Sequence, residues 1–343
     1  MRSPRFALRV LQNRAGLVPR PSWCTYRVRS PSAEGPPPMP VATARSVFEQ
    51  LGQLDVVRLA GDEPLERVDL DELAEVILEV SRPGVLQLDT DGRDPVRAED
   101  FARGLSRARG LRIFVRVPPV PDREAPLGAH RRFVLALETV KRLRAVARDR
   151  GFALGGRFDL EPGVGRAELE RLQESFEGLG VDLHVVPPAT GPDASAEGPN
   201  AGATDLRATL ALRRDELARG EPSWAREVER YLVEGALSRV RGDASPRPRP
   251  RCTALRSHVR LEPDGRVLTC GHRPHVVGAL AEEDFDRIWF GLRAETARAV
   301  VDRCSGCWDP DETLANALYS GDFVRSRRPR DRRHAAASAL GGR

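Results

Sequence analysis

A chain of 343 residues, 40% hydrophobic and 31% charged, is long enough for one large α/β core or for two domains. No stretch approaches the roughly 18 uninterrupted apolar residues of a membrane span, which excludes an integral membrane protein of the helical kind. The net charge of +5 sits at one end: six arginines between Arg325 and Arg333, set against Asp331, account for it, and the rest of the chain is near neutral. A solvated basic tail of this kind grips polyanions weakly, so nucleic acid is not an expected partner. Five cysteines are too few for a disulfide scaffold, and four of them fall between Cys252 and Cys307, which points to a metal site in a reducing cytoplasm. The first 33 residues hold seven arginines and no acid, as transit peptides do. Arginine is common throughout this chain, however, and the cytoplasm remains the expected location.

Three stretches rich in Pro, Gly, Ser and Ala read as loops or linkers: Ser30 to Pro40, Pro187 to Thr204 and Gly242 to Pro250. Between the first two, short β-type runs alternate with helical ones. Val56 to Leu59 is a strand. It precedes a helix carrying Leu70, Leu73, Val76, Ile77 and Val80, which starts at a capping-box pattern, Asp69-x-x-Glu72. Val85 to Leu88, a helix over Ala98 to Arg107, and Leu111 to Val117 follow. A long helix buries Phe133, Leu137, Val140, Leu143 and Ala147. The strand Phe152 to Leu160, a helix with Leu169, Leu172, Phe176 and Leu179, and the strand Val181 to Val186 complete the series. This cadence predicts a parallel sheet, either open and doubly wound or part of a barrel, with its chemistry at the carboxyl ends of the strands. Leu206 to Leu217 and Trp224 to Val240 are helical and lead across an Arg/Pro stretch to the cysteines.

Cys252 and Cys270 bracket a predicted β-hairpin that turns at Asp264-Gly265 and brings its two ends together. Cys304-Ser-Gly-Cys307 has the short spacing that lets two thiolates grip one metal centre. Four soft ligands from two segments therefore converge. They suit a tetrahedral zinc or an iron–sulfur cluster, with His258, His272 and His275 as alternative donors.

The pattern Cys252-x12-Gly265-x4-Cys270, Gly278-Ala-Leu, Ile288-Trp289 and Cys304-x2-Cys307 resembles the C-terminal auxiliary-cluster domain of radical SAM enzymes, called SPASM or, in its short form, twitch. The resemblance implies one auxiliary 4Fe–4S cluster on Cys252, Cys270, Cys304 and Cys307. Val56-Val-Arg-Leu-Ala-Gly61-Asp62-Glu63-Pro64 resembles the strand ending in Gly-Gly-Glu-Pro that receives the SAM amino group in that family. Leu88-Asp-Thr90-Asp91-Gly92 resembles the strand end that follows it. The implied fold is α/β: a partial parallel β/α, TIM-like barrel followed by a small cysteine-rich domain with a β-hairpin. The corresponding boundaries are a degenerate N-terminal segment over 1–40, the barrel over 41–190, linker and helices over 191–250, the cluster domain over 251–320 and a basic disordered tail over 321–343. Gly61, Asp62, Glu63, Pro64 and Thr90 are the implied SAM contacts, and the implied partners are a peptide or small-molecule substrate and an electron donor.

The family's chemistry needs three thiolates in Cys-x3-Cys-x2-Cys. Trp23-Cys24 resembles the end of that motif, but the register then places Leu17 and Pro21 where the other two cysteines belong, and one thiolate cannot hold a cubane. Asp62 in place of a glycine weakens the SAM contact further. Three readings follow. The chain is a radical SAM descendant without its catalytic cluster, with Cys24 as a remnant of the catalytic loop. Alternatively it is an active enzyme whose first residues are a wrong start or an out-of-frame stretch. The third reading is a zinc-stabilised binding module.

Overall fold

The computed structural model describes residues 4–326 apart from 30–36, 106–109, 162, 190–200, 220, 222, 244 and 305. The chain opens with α1 (Pro4–Arg14) and β1 (Trp23–Val28). The βα repeat then runs α2 (Val41–Leu51), β2 (Val56–Gly61), α3 (Leu70–Val80), β3 (Val85–Thr90), α4 (Pro95–Gly104), β4 (Leu111–Arg116), α5 (Leu127–Arg150), β5 (Ala153–Asp159), α6 (Arg166–Leu179) and β6 (Asp182–Val186). Two long helices, α7 (Ala201–Arg219) and α8 (Trp224–Val240), lead to the hairpin strands β7 (His258–Leu261), β8 (Arg266–Leu268) and β9 (Val276–Ala279). The chain closes with α9 (Phe285–Phe290), α10 (Leu292–Asp302), α11 (Pro310–Tyr319) and α12 (Asp322–Ser326).

Among the described residues the strands form one sheet in the order β6-β5-β4-β3-β2-β1-β7-β8-β9. From β6 to β1 every pair is parallel and the order never reverses. Right-handed crossovers in a sheet without reversal put all the connecting helices on one face, which is the winding of a barrel and not of a doubly wound sheet. The partial barrel expected from the sequence is therefore the architecture.

The alternation within each strand sets the two faces. Cys24, Tyr26 and Val28 of β1 point into the helical layer, where Tyr26 meets Phe48 of α2 edge-on with ring centroids 6.1 Å apart, within the usual range for such pairs. In β4, Leu111, Ile113 and Val115 are buried while Arg112, Phe114 and Arg116 alternate with them as half-buried residues on the inner face. Gly61, at φ +148°, ends β2 where a Cβ would lie 2.0 Å from the Val28 carbonyl oxygen, so only glycine lets β1 and β2 close at this level.

Several boundaries differ from those the sequence suggested. β1 pairs with β2 from Trp23↔Val56 to Val28↔Gly61, so the barrel sheet begins at Trp23, inside the segment expected to be degenerate. α7 and α8 are packed elements: Glu229 of α8 accepts the Val185 N–H of β6 at 3.2 Å, and Arg213 of α7 donates to the Leu183 carbonyl at 3.1 Å. The hairpin does turn at Gly265 (φ +83°), but β7 also pairs in parallel with β1, joining the cysteine-rich segment to the barrel sheet. Asp69 does not cap α3 with its side chain; its carboxylate holds Arg67, with Nε–Oδ1 at 2.5 Å and Nη2–Oδ2 at 3.0 Å. Of the expected basic tail, 322–326 form α12 and 327–343 lie outside the described residues.

Candidate functional site

The cysteines are organised by α11. Asp309 caps it, its carboxylate accepting the Asp311 N–H at 2.9 Å, so the chain leaving Cys307 turns directly into the helix. Two residues one helical turn apart then reach the other cysteine-bearing segments. Glu312 Oε1 accepts the N–H of Gly271, next to Cys270, at 2.7 Å. Asn316 Oδ1 accepts the N–H of Thr253, next to Cys252, at 2.6 Å. Trp308, fully buried, donates its Nε1–H to the Leu232 carbonyl at 2.9 Å and lies under the Arg239 guanidinium at 4.0 Å, which seats this corner on α8.

Cys252, Cys270 and Cys307 are half-buried and Cys304 is exposed; all four are free thiols. Cys252 senses the charges of Cys304 and Cys307, and Cys307 senses that of Cys270, so the four form one electrostatic group. Burial first, and then carboxylates including Glu312, push the Cys252 and Cys307 thiols up to about 12. Burial also raises Cys270, whose sulfur accepts the Arg273 N–H at 3.3 Å. Thiols in this condition are held protonated by their surroundings, and a cationic metal centre is what would convert them to thiolates. The donor set fits an iron–sulfur cluster: four soft ligands, a backbone N–H directed at one of them, and a protein frame tying their segments together.

Glu312 itself is buried, and its carboxyl lies below the usual range: burial opposes its charge, but His258 and then the Gly271 N–H outweigh it. His258 Nε2 stands 3.0 Å from Glu312 Oε2, and its Nδ1 is 3.1 Å from Ser257 Oγ. His258, one of the alternative ligands suggested by the sequence, is thus committed to holding Glu312. His275 is exposed, with its backbone N–H given to Thr269 at 3.0 Å. Among the described residues no three His, Cys, Asp or Glu side chains come close enough to share a single metal ion.

At the carboxyl ends of β2 and β3 the structure brings Glu63 and Thr90 together. Thr90 Oγ1 stands 2.8 and 2.9 Å from the two Glu63 oxygens, and Glu63 also accepts the N–H groups of Leu65 at 3.0 Å and Asp91 at 2.7 Å. Buried in this knot, Glu63 is pushed up to about 8, by burial first and by the Asp91 carboxyl second. Pro64 is buried and opens a 3-10 turn. The carbonyls of Gly61 and Asp62 are taken by one guanidinium: Arg116 donates to Gly61 O at 2.9 Å and, more closely still, to Asp62 O. The Asp62 side chain is exposed and stands 3.6 Å from Arg27.

Cys24 is not at this end of the sheet. The β1–β2 register pairs it with Val57, and it is Val28 that meets Gly61. Cys24 is completely buried on the helix-facing side, and burial raises its thiol far above its ordinary value. The reading of Cys24 as the remnant of a catalytic loop is therefore corrected: it is a core residue of β1, placed there by strand alternation. Residues 29–40, which follow β1 in the sequence, contain no cysteine.

Across the middle of the barrel runs a network that the sequence reading missed. Arg58 of β2 donates its Nε–H to Asp89 Oδ2 at 2.9 Å and pairs through Nη1 with Asp311 Oδ1 at 2.8 Å. Arg157 of β5 reaches the same two carboxylates at 3.4 and 3.0 Å. Asp311 is held well below the usual carboxylate range because the two guanidinium groups outweigh its burial. It sits beside Glu312 at the start of α11, so one helical turn faces both the cysteines and the barrel interior. The signal was available: a charged residue inside Val-Val-Arg-Leu-Ala is out of place in a strand buried on both faces.

Residues 252–308 match the SPASM family, described as an iron-sulfur cluster-binding domain. This segment is similar to a SPASM domain. Around it, the chain is similar in structure to Streptococcus suis SuiB bound to S-adenosylmethionine, with a TM-score of 0.57 and 12% identity over 82% of this chain and 68% of that one. It is also similar to anSMEcpe with bound AdoMet and Cp18Cys peptide, with a TM-score of 0.54 and 11% identity over 89% and 98% of the two chains. At such identities the likeness concerns the fold, which is the radical SAM fold with a SPASM domain. No curated protein matches the chain by sequence. Among the described residues no helix is long and apolar enough to cross a membrane.

Proposed function

We propose that the chain is a radical SAM-like iron–sulfur protein of the cytoplasm that carries one auxiliary 4Fe–4S cluster and does not cleave SAM. Cys252, Cys270, Cys304 and Cys307 would hold the cluster, as the short, single-cluster form of the domain requires. Such a cluster supplies one-electron transfer or structural support. The observation that carries the negative half is the position of Cys24, the one cysteine outside that group: buried in the helical layer, it cannot serve a cluster at the strand ends. Arg116 supports the same reading, because it already satisfies the two carbonyls at Gly61 and Asp62 that an ammonium group would need. The sequence that follows β1, residues 29–40, contains no cysteine either.

This chain's own residues then act as a frame. Glu312 and Asn316 fix the segments of Cys270 and Cys252, His258 holds Glu312, and Asp311 locks α11 to the barrel. The activity test is anaerobic incubation of the reconstituted protein with SAM and dithionite. The reading expects no 5′-deoxyadenosine above the protein-free control, and turnover would overthrow it.

A further inference from the structure

The barrel interior holds two chambers. The ion network of Arg58, Asp89, Arg157 and Asp311 forms the partition, and Arg58, Arg157 and Asp311 line the space on either side of it. Toward the carboxyl ends of the strands lies a cavity of about 260 Å³. Toward the amino ends lies one of about 470 Å³, closed by α8 and the first turns of α11. The larger volume is that of a small-molecule site, and its wall is the usual mixture of apolar side chains with a few polar ones.

One of those polar groups has no side-chain partner among the described residues. Strand alternation turns Arg112 inward with Phe114 and Arg116. Arg58 and Arg157 share two carboxylates, and Arg116 has two carbonyls. Among the described residues Arg112 has neither a hydrogen-bond nor an ion-pair partner, and burial is the sole influence on its charge, which it disfavours. A guanidinium stays ionised in such a place, and half-buried without a protein partner it is open to an anion entering the cavity. The carboxylates nearby are committed elsewhere: Asp311 to the partition and Glu229 to Arg213 at 2.6 Å. Asp182 lines the chamber from the exposed start of β6. Beside Arg112, Phe114 and His184 meet edge-on with ring centroids 5.3 Å apart. Gly155 makes room for both, since a Cβ there would lie 2.8 Å from one ring and 2.9 Å from the other.

We propose that this chamber binds a small organic anion, a carboxylate on a flat apolar body, with Arg112 pairing the carboxylate and the Phe114–His184 pair packing against the body. The bidentate match of guanidinium to carboxylate sets orientation, and the apolar wall supplies the rest of the binding. The proposal stands apart from the cluster and SAM readings, because no cysteine and no group at the Gly61–Pro64 strand end takes part.

The test is calorimetric titration of the cluster-loaded full chain with 2-naphthoate and its neutral isostere 2-naphthamide, repeated with indole-3-acetate and indole-3-acetamide. At least one acid should bind, with its amide about tenfold or more weaker, as expected for a charge-assisted pair. Arg112→Gln should erase that discrimination. Ala225→Trp, which fills the chamber from α8, should abolish binding of both forms, and Arg142→Gln on the exposed face of α5 should change nothing. Equal affinity of acid and amide, unchanged discrimination in Arg112→Gln, or no binding by either acid would each overturn the proposal. Should Arg112→Gln fail to fold, the acid-to-amide ratio in the unmodified chain together with the Ala225→Trp result decides it.

Discussion

Asp311→Asn tests how the cluster domain is fastened to the barrel. In the unmodified chain Arg58 and Arg157, whose side chains are 5% and 16% exposed, share Asp89 and Asp311. Replacing Asp311 leaves Arg58 with Asp89 alone, while Arg157 keeps Asp89 at 3.4 Å and the exposed Asp159 at 2.8 Å. Breaking a buried pair costs about 3–5 kcal/mol, and the lower end applies because the Asp311 side chain keeps 36% of its surface open to the chambers. Roughly 3 kcal/mol corresponds to a fall in Tm of about 4 °C for a chain of this length. The carboxylate is held below its ordinary value, so its contribution is complete above that value and is lost only as pH falls through and below it. The penalty should therefore be the same at pH 6 and pH 8, about two and four units above the ordinary carboxylate range. Urea unfolding of Asp311→Asn at both pH values is the assay, with Asp71→Asn, which breaks the more exposed pair with Arg97 (side chains 42% and 23% exposed), as the comparison. The exposed pair should be worth under about 1 kcal/mol. A cost for Asp311→Asn no greater than that would refute the claim that the network locks α11 to the sheet.

Glu63→Gln should flatten the pH dependence of stability. Between the ordinary glutamate value and about 8 the folded chain keeps a proton on Glu63 that the unfolded chain has released, so stability from this group falls as pH rises through that window. Urea midpoints at several pH values across it should show a smaller decline in the variant than in the parent. Glu312→Ala removes the acceptor for Gly271 and strands His258. It should lower the iron retained after desalting and reduce the unfolding free energy by roughly 2 kcal/mol, measured against Glu282→Ala on the surface.

The order of strands and helices from Val56 to Val186 was legible in the sequence because apolar alternation and helical spacing are local properties. The hairpin and the four cysteines were legible for the same reason: Asp264-Gly265 and Cys304-x2-Cys307 are short patterns. β1 was missed as a strand because Trp-Cys-Thr-Tyr-Arg-Val reads equally well as the end of a cysteine motif, and only pairing with both Val56–Gly61 and His258–Leu261 decides it. Asp311 and Asn316 could not be assigned from sequence. Their partners Arg58, Arg157 and Thr253 are far away along the chain, and nothing local separates such residues from solvated ones. The capping-box reading of Asp69 failed because Arg67, two residues away, competes for the same carboxylate.

Iron and acid-labile sulfide per chain after anaerobic reconstitution test the central claim most directly. One cluster predicts about four of each. The content should persist in Cys24→Ala and collapse in Cys304→Ser and Cys307→Ser. About eight of each, or loss of iron in Cys24→Ala, would contradict the account by revealing a second cluster that uses Cys24, and stoichiometric zinc without sulfide would replace the cluster with a single ion.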